Sequence, residues 1–469
     1  MRYISTRGEA AELSFAGALI AGLARDGGLY APKSWPSIAP EAIGSFAVKP
    51  FAEIAAAILA PFAAPDFEQD QLRALASEAY ARFSHAAVTP LIELDRGLWL
   101  LELFHGPTLA FKDVAMQLLA RLMERVLAAK GERVMIIAAT SGDTGGAAIE
   151  AFRGSRRVDA VVLFPLGRIS DVQRRMMTTV REDNIQAVAI DGTFDDCQAL
   201  VKALFNDLAL RDRLGLAAVN SINWGRIVAQ IPYYFAAAAA LGGPDRRVAF
   251  SVPTGNFGDV FAGYCATAMG LPADLVIATN ENDILYRAWN SGNYAPAEVV
   301  ATMSPSMDIQ VSSNFERFLF EATGRDAAFV RGRMEGLRQG RAIDLGAAAP
   351  AYRRAFTVER VCSAAVADCI RRVKEKSGYL LDPHSACGVV AAERARASCL
   401  RGVPHVALAT AHWAKFPEAI AAITGEHPQL PGRLARLLCE QERVCVLPND
   451  LAAVRRLLED RASRKGAAA

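Results

Sequence analysis

From about Val134 onward the chain alternates short apolar β-type runs with longer helical patterns, which commits it to βαβ units around a mainly parallel sheet. The strand candidates are Val134–Ala139, Ala160–Phe164, Gln186–Ile190, Val248–Val252, Leu275–Thr279 and His405–Ala409. Among the helices between them, Asp195–Leu208 is the clearest: Cys197, Leu200, Val201, Leu204, Phe205 and Leu208 share one face at the 3.6-residue period. The fold class is α/β. Residues 1–90 stand outside this rhythm, with a helical segment Ser14–Ala24, a turn at Gly27–Pro32 and two further Ala-rich helices, and read as a small separate unit. Pro350–Ser377 reads as largely helical, and the tail Arg464-Lys465-Gly466-Ala467 is expected to fray. At 469 residues the chain is roughly three times the ~150-residue domain unit, so two or three domains, or one large catalytic body with extensions, are expected.

Composition removes several function classes. A hydrophobic share of 52% against 22% charged residues describes a folded globular protein. The net charge is only +2 and the arginines are scattered, so no nucleic-acid surface is expected. The eight cysteines include no Cys-x-x-Cys pair and read as core thiols of a reducing compartment. The N-terminus has no secretory pattern, and the longest apolar run, Ile231 to Leu241, falls short of the ~20 residues that span a bilayer. A cytoplasmic protein without membrane contact is the expectation. The six histidines lack metal-ligand spacing, so no metal is expected; G-x-S-x-G, G-x-x-x-x-G-K-[ST] and G-x-G-x-x-G are all absent.

Three segments carry chemistry. Val134–Ala139 ends in Thr140-Ser141-Gly142-Asp143-Thr144-Gly145-Gly146, where glycines admit close backbone approach and the N–H groups of a starting helix favour an anion such as a carboxylate. The competing interpretation is an ordinary helix cap. Val248–Val252 ends in Pro253-Thr254-Gly255-Asn256-Phe257-Gly258-Asp259, a loop able to wrap a phosphate monoester with backbone N–H groups; a plain turn is the alternative. Lys112, in His105-Gly-Pro-Thr-Leu-Ala-Phe-Lys112-Asp113, has apolar neighbours and precedes an apolar helix pattern, Val114 to Leu127. Desolvation and the helix dipole there disfavour its charge, as Schiff-base chemistry requires; a surface lysine with a buried stem is the alternative.

In order and spacing these blocks resemble those of the threonine synthase family, fold-type-II pyridoxal-phosphate enzymes of the tryptophan-synthase-β-like class. Tyr3–Gly8, Asp26–Pro32, Asp191–Asp196, Asn220–Arg226 and Ser304–Ile309 extend the resemblance over most of the chain. It implies an N-terminal domain at 1–90, a cofactor-binding α/β body at 91–425 and a C-terminal extension at 426–469. It implies that Lys112 holds pyridoxal 5'-phosphate and moves protons at the substrate carbons. Gly255, Asn256, Phe257, Gly258 and Asp259 would hold the cofactor phosphate, and Thr410 would bond the pyridine nitrogen. Asp143 would face the 3'-oxygen side, with Thr140, Ser141, Gly142 and Thr144 receiving the substrate carboxylate or lying along the cofactor ring. The implied reaction converts O-phospho-L-homoserine and water to L-threonine and phosphate, so a second phosphate must be bound; Asn220, Asn223 and Arg226 are the candidates, with Arg168 a further one. The chain departs from the family segment at Trp413, where proline is expected. A monomer or homodimer is expected. Two rivals stay open: a dehydratase or phospho-lyase of the same fold, and a non-catalytic relative that kept the lysine.

Overall fold

The computed structural model describes residues 1–466. Two sheets organise them. One has five parallel strands in the order Cys445–Pro448, Ile185–Asp191, Val158–Pro165, Val134–Ala139 and Leu216–Ala217. The other has six, in the order Thr357–Arg360, Ala273–Thr279, Val248–Pro253, His405–Ala409, Leu98–Glu102 and Leu91–Asp95, of which the last pair alone is antiparallel. All six expected strands are present. Val134–Ala139, Val158–Pro165 and Val248–Pro253 are buried at every position, the pattern of parallel strands covered on both faces.

Most strands missing from the sequence reading are short or lie at edges; the interior, largely buried Leu98–Glu102 is missing from it as well. Leu91–Asp95 is only partly buried and points Glu93 and Asp95 outward, so it offers no apolar run. Leu216–Ala217 has two residues, and Cys445–Pro448 alternates between half-buried and exposed positions. Thr357–Arg360 interrupts the segment expected to be helical, splitting Pro350–Ser377 between helices Ala348–Ala355 and Ser363–Ser377. The expected Asp195–Leu208 helix runs from Phe194 to Asn206, capped by Thr193, and Asp207 starts a second helix, Leu208–Leu214. The final helix, Leu451–Gly466, incorporates most of the tail expected to fray; Ala467 lies outside the described residues. Of the eight cysteines, all free, Cys197, Cys265, Cys369 and Cys387 are buried. Cys362, Cys399 and Cys439 are exposed, so the core-thiol expectation holds for only part of the set. Among the described residues no helix is long and apolar enough to cross a membrane.

The N-terminal segment packs against the body of the protein. Tyr3–Ser5 pairs antiparallel with Tyr30–Pro32, and Phe15, Phe62 and the helices Phe51–Ala63 and Gln69–Tyr80 join the same core as the larger sheets. Its hub is Trp224, fully buried, with ring centroids 5.7 Å from Phe62, 5.8 Å from Tyr3 and 6.2 Å from Trp35. At the other end, Arg433 donates to the carbonyls of Gly106 and Pro107 at 2.6 and 3.0 Å. Leu430, Leu434 and Leu437 pack on Leu109, Val172 and Met176. Both chain ends therefore brace the segment that leads into Lys112.

Candidate active site

Ligands of parallel α/β sheets bind beyond the carboxyl ends of the strands, and three constellations gather there. The first is the turn before Lys112. Asp113, fully buried, accepts from the backbone N and the Oγ1 of Thr108 at 2.7 and 2.8 Å, closing the loop on itself. Gly106 is required beneath it, because an added Cβ would lie 2.3 Å from the Cβ of Asp113. Burial pushes Asp113 up to about 6 against the Thr108 hydrogen bonds. Lys112 opens the helix Lys112–Lys130, its side chain 12% exposed and its Nζ 3.3 Å from Asp143 Oδ2. Desolvation lowers its pKa, outweighing the pull of Asp143 in the other direction.

The second follows Val134–Ala139. Thr140 Oγ1 accepts from the N–H groups of Gly142 and Gly145 at 2.9 and 2.8 Å, which folds the loop into the start of helix Asp143–Phe152. Among the described residues, the N–H groups of Ser141, Asp143 and Thr144 donate to no protein atom. Gly142 adopts φ 132°, and a Cβ there would meet Gln173 at 2.5 Å. Asp143 accepts from Gln173 Nε2 at 2.9 Å and Ser306 Oγ at 3.4 Å, and its Oδ1 lies 2.5 Å from Lys415 Nζ. Burial alone would raise the Asp143 carboxyl; the ammonium groups of Lys415 and Lys112 instead hold it well below the usual carboxylate range.

The third follows Val248–Pro253. Phe257 takes a left-handed conformation, φ 63°, and anchors its ring among Phe315 and Phe356 at 5.3 and 5.4 Å. Asn314 fixes the loop by donating from its backbone N and its Nδ2 to Asn256 O at 3.0 and 3.2 Å. Among the described residues, none of the backbone N–H groups from Gly255 to Asp259 donates to a protein atom, and all five residues line the cleft at the start of helix Gly258–Ala268. A Cβ at Gly255 would sit 2.7 Å from Ser306 O. Behind the loop, Asp259 accepts from Tyr233 and Tyr234, the latter at 2.8 Å, while its Oδ2 is buried without a partner; burial pushes it up to about 6.

One cleft with about 720 Å³ of empty space joins these parts, lined by Lys112, Asp143, Thr144, Arg226, Gly255–Asp259 and Thr410, together with Ser221, Ser306 and His384. A larger hollow of about 1340 Å³ lies between the N-terminal unit and the edge strand Leu216–Ala217. It shares no residue with the cleft, and its one lysine, Lys130, is exposed, so chemistry rather than size selects the cleft. Thr140, Ser141 and Gly142 form the turn beside it. Thr410 is fixed on both sides: its N donates to Ser385 Oγ at 3.1 Å and its carbonyl accepts from Phe111 N at 2.8 Å. Trp413 is accommodated: it opens a 3₁₀ turn to Lys415 and stacks on His412 at 4.0 Å, with Phe104 and Tyr379 edge-on.

Not every expected residue reaches the cleft wall. Asn223 is fully buried elsewhere: its Nδ2 donates to Leu19 O and Ala218 O, and its Oδ1 accepts from Gly225 N, so its amide caps a helix and ties down the N-terminal unit. Asn220 precedes the cleft residue Ser221 but does not line the cleft itself. Arg168 lies on an exposed loop. Arg226 does line the cleft, donates to Val219 O at 3.1 Å and leaves its Nε buried without a partner. Burial pushes this guanidinium down to about 10. Lys415, Gln173 and His384 carried no signal as site residues in the sequence, and Ser306 only as part of the Ser304–Ile309 block.

The residues present fit pyridoxal phosphate: a buried amine, an array of free N–H groups sized for a phosphate, and an arginine with an unused donor share one cleft. Three family models cover the chain: threonine synthase N terminus over residues 2–80, pyridoxal-phosphate dependent enzyme over 83–410, and threonine synthase, C-terminal, over 385–458. Threonine synthase of Pseudomonas aeruginosa is 49% identical over 99% of both chains.

The chain belongs to the threonine synthase family.

Its structure agrees with that of pyridoxal-phosphate-bound threonine synthase from Brucella melitensis at a TM-score of 0.94 and 53% identity, covering 98% of this chain and 99% of that one. Yeast threonine synthase superposes at a TM-score of 0.92 and 37% identity, over 99% of both chains. As a threonine synthase family member the chain is a fold-type-II, pyridoxal-phosphate-dependent enzyme, and the non-catalytic alternative loses its ground.

Proposed function

We propose that the chain converts O-phospho-L-homoserine and water to L-threonine and phosphate. The observation that carries this is the placement of Lys112 in one cleft with two separate runs of unpaired backbone N–H groups. One comprises Ser141, Asp143 and Thr144, the last two of which line the cleft, and the other Gly255–Asp259. When bound, pyridoxal phosphate supplies an electron-withdrawing linkage to the substrate nitrogen that acidifies the neighbouring C–H bonds. Gly255 to Asp259 would hold its phosphate through backbone donors and the helix dipole, Thr410 would bond its ring nitrogen, and Asp143 would serve its 3'-oxygen side. Ser141, Gly142 and Thr144 receive the substrate carboxylate, with Thr140 shaping that turn.

Lys112 Nζ takes the proton from Cα and carries protons between the substrate carbons; its lowered pKa leaves a larger share of free amine for this. Arg226, with its unused Nε, stabilises the departing phosphate dianion as the Cγ–O bond breaks. Cβ also gives up a proton and gains the hydroxyl of water; the protons lost by Cα, Cβ and the water go to Cγ, back to Cα and to the phosphate. Asn220 and Asn223 shape the approach to Arg226 rather than meeting the phosphate. The boundaries 1–90, 91–425 and 426–469, a cytoplasmic setting, a monomer or homodimer and the absence of nucleic-acid partners belong to the same proposal. The deciding assay supplies O-phosphohomoserine with and without added pyridoxal phosphate and measures phosphate and amino acid. Equal amounts of phosphate and threonine are expected; 2-oxobutyrate without threonine would overturn the proposal in favour of a dehydratase-type elimination.

A further inference from the structure

Lys415 is the most deeply buried lysine in the site. Its side chain is 1% exposed, its Nζ donates to Thr108 O at 2.9 Å, and the same Nζ lies 2.5 Å from Asp143 Oδ1. Lys112 contacts the other oxygen of that carboxylate at 3.3 Å. A single buried carboxylate thus stands between two amines, and the closer contact belongs to the amine that has no access to the cleft.

Removing a buried carboxylate's partner leaves an uncompensated charge, which costs far more than the pair contributes. If Lys112 were the sole partner of Asp143, losing its proton would strand Asp143 in that condition. With Lys415 present the carboxylate stays paired whichever form Lys112 takes. Lys415 also repels the Lys112 ammonium directly, across the same carboxylate. We propose that Lys415 is a positioning residue, the resident counter-ion of Asp143, which frees Lys112 to become a neutral amine and react with pyridoxal phosphate. This rests on the cofactor role assigned to Lys112 above.

The other charged or titratable groups around Lys112 are Asp143 from the helix Asp143–Phe152, Arg226 from the helix Trp224–Val228 and Asp259 from the helix Gly258–Ala268. His384 lines the cleft from the helix Pro383–Ala397 with its Nδ1 2.8 Å from Asp382, and Asp113 faces Lys415 from Lys112's own helix. None of them contacts Asp143. Among the described residues its only cationic contacts are the two lysines.

The test follows pyridoxal phosphate uptake by the cofactor-free protein across pH, read as the rate at which visible absorbance appears, with borohydride trapping and peptide mass to locate the attachment. In the unsubstituted protein the rate rises with pH as Lys112 loses its proton. In Lys415→Met the midpoint should move up by roughly one to three pH units, with uptake slowed roughly tenfold per pH unit of that displacement at any pH below both midpoints. Lys415→Arg should keep the original midpoint more closely, and Lys415→Met/Asp143→Asn, which removes the charges as a pair, should bring it back down. Should the single methionine variant fail to fold, the double variant and the arginine variant carry the test through the same readout. An unchanged midpoint in Lys415→Met, or one as high in the double variant as in the single, would overturn the role of Lys415. A protein that takes up no pyridoxal phosphate, or traps it away from Lys112, would overturn the cofactor assignment instead, so the two failures are distinct.

Discussion

The two strand-to-helix junctions of the cleft are built alike and finished differently. Each follows a fully buried parallel strand, each needs glycine at a crowded point and each leaves backbone donors free. The junction at Thr140–Gly146 adds a formal charge, Asp143, and surrounds it with two amines, an amide and a hydroxyl. The junction at Pro253–Asp259 keeps its carboxylate, Asp259, under two tyrosine hydroxyls and lines the cleft with residues whose backbone N–H groups are free. The contrast teaches a division of labour: a group that is held unchanged throughout suits fixed neutral dipoles, whereas the place where protons move carries titratable side chains.

The largest expected effect tests the charged junction. Lys112→Ala should lower threonine formation roughly 10⁴-fold, measured by phosphate release, and remove the visible absorbance of the bound cofactor. Next, on the neutral side, Gly255→Val places a branched side chain against Ser306 O and should weaken retention of pyridoxal phosphate by roughly 10²-fold or more, measured by dialysis equilibrium. A variant that retains the cofactor normally would mean that the loop does not grip it. Gly142→Ala forces a side chain into φ 132° and against Gln173; a stability loss of about 1–3 kcal/mol by denaturant titration is the expected result.

The smallest effect concerns Asp259. Its folded pKa, up at about 6, lies above the ordinary value of 3.8. Its contribution to stability is therefore fully present below pH 3.8, is lost as pH rises through about 6 and is flat beyond. Subtracting the unfolding free energy of Asp259→Asn from that of the unsubstituted protein, pH by pH, should show a fall across that window and no slope above it. A rise would contradict the burial argument.

The parallel core was legible because strands covered on both faces must be apolar throughout, and each such run, from Val134–Ala139 to His405–Ala409, became a strand. Edge strands escaped notice because exposed polar positions such as Glu93 and Asp95 break the apolar signal and because strands such as Leu216–Ala217 are too short to give one. Lys112 and the two loops were legible as local patterns, since backbone cradles need glycine at fixed places. Lys415 was not: its meaning comes from Asp143, which only the tertiary fold brings within reach. Asn223 shows the opposite failure, a polar side chain whose partners are backbone carbonyls of the N-terminal unit rather than a ligand.

The position of His405–Ala409 bears on how the protein is made. This strand sits inside its sheet, between Val248–Pro253 and Leu98–Glu102, yet it is encoded near the end of the chain. A ribosome working from the N-terminus releases Leu91–Glu102 and Val248–Thr279 well before the strand that joins them. During that interval both halves present apolar, hydrogen-bonding edges with nothing between them, a template for contact with other nascent chains. The Lys112 segment, whose backbone pairs with Thr410 and Ala411, stays incomplete for the same interval. Completion of the active cleft and protection from aggregation are therefore a single late event, and slowing translation just before residue 405 should lengthen the vulnerable period while leaving the finished enzyme unchanged.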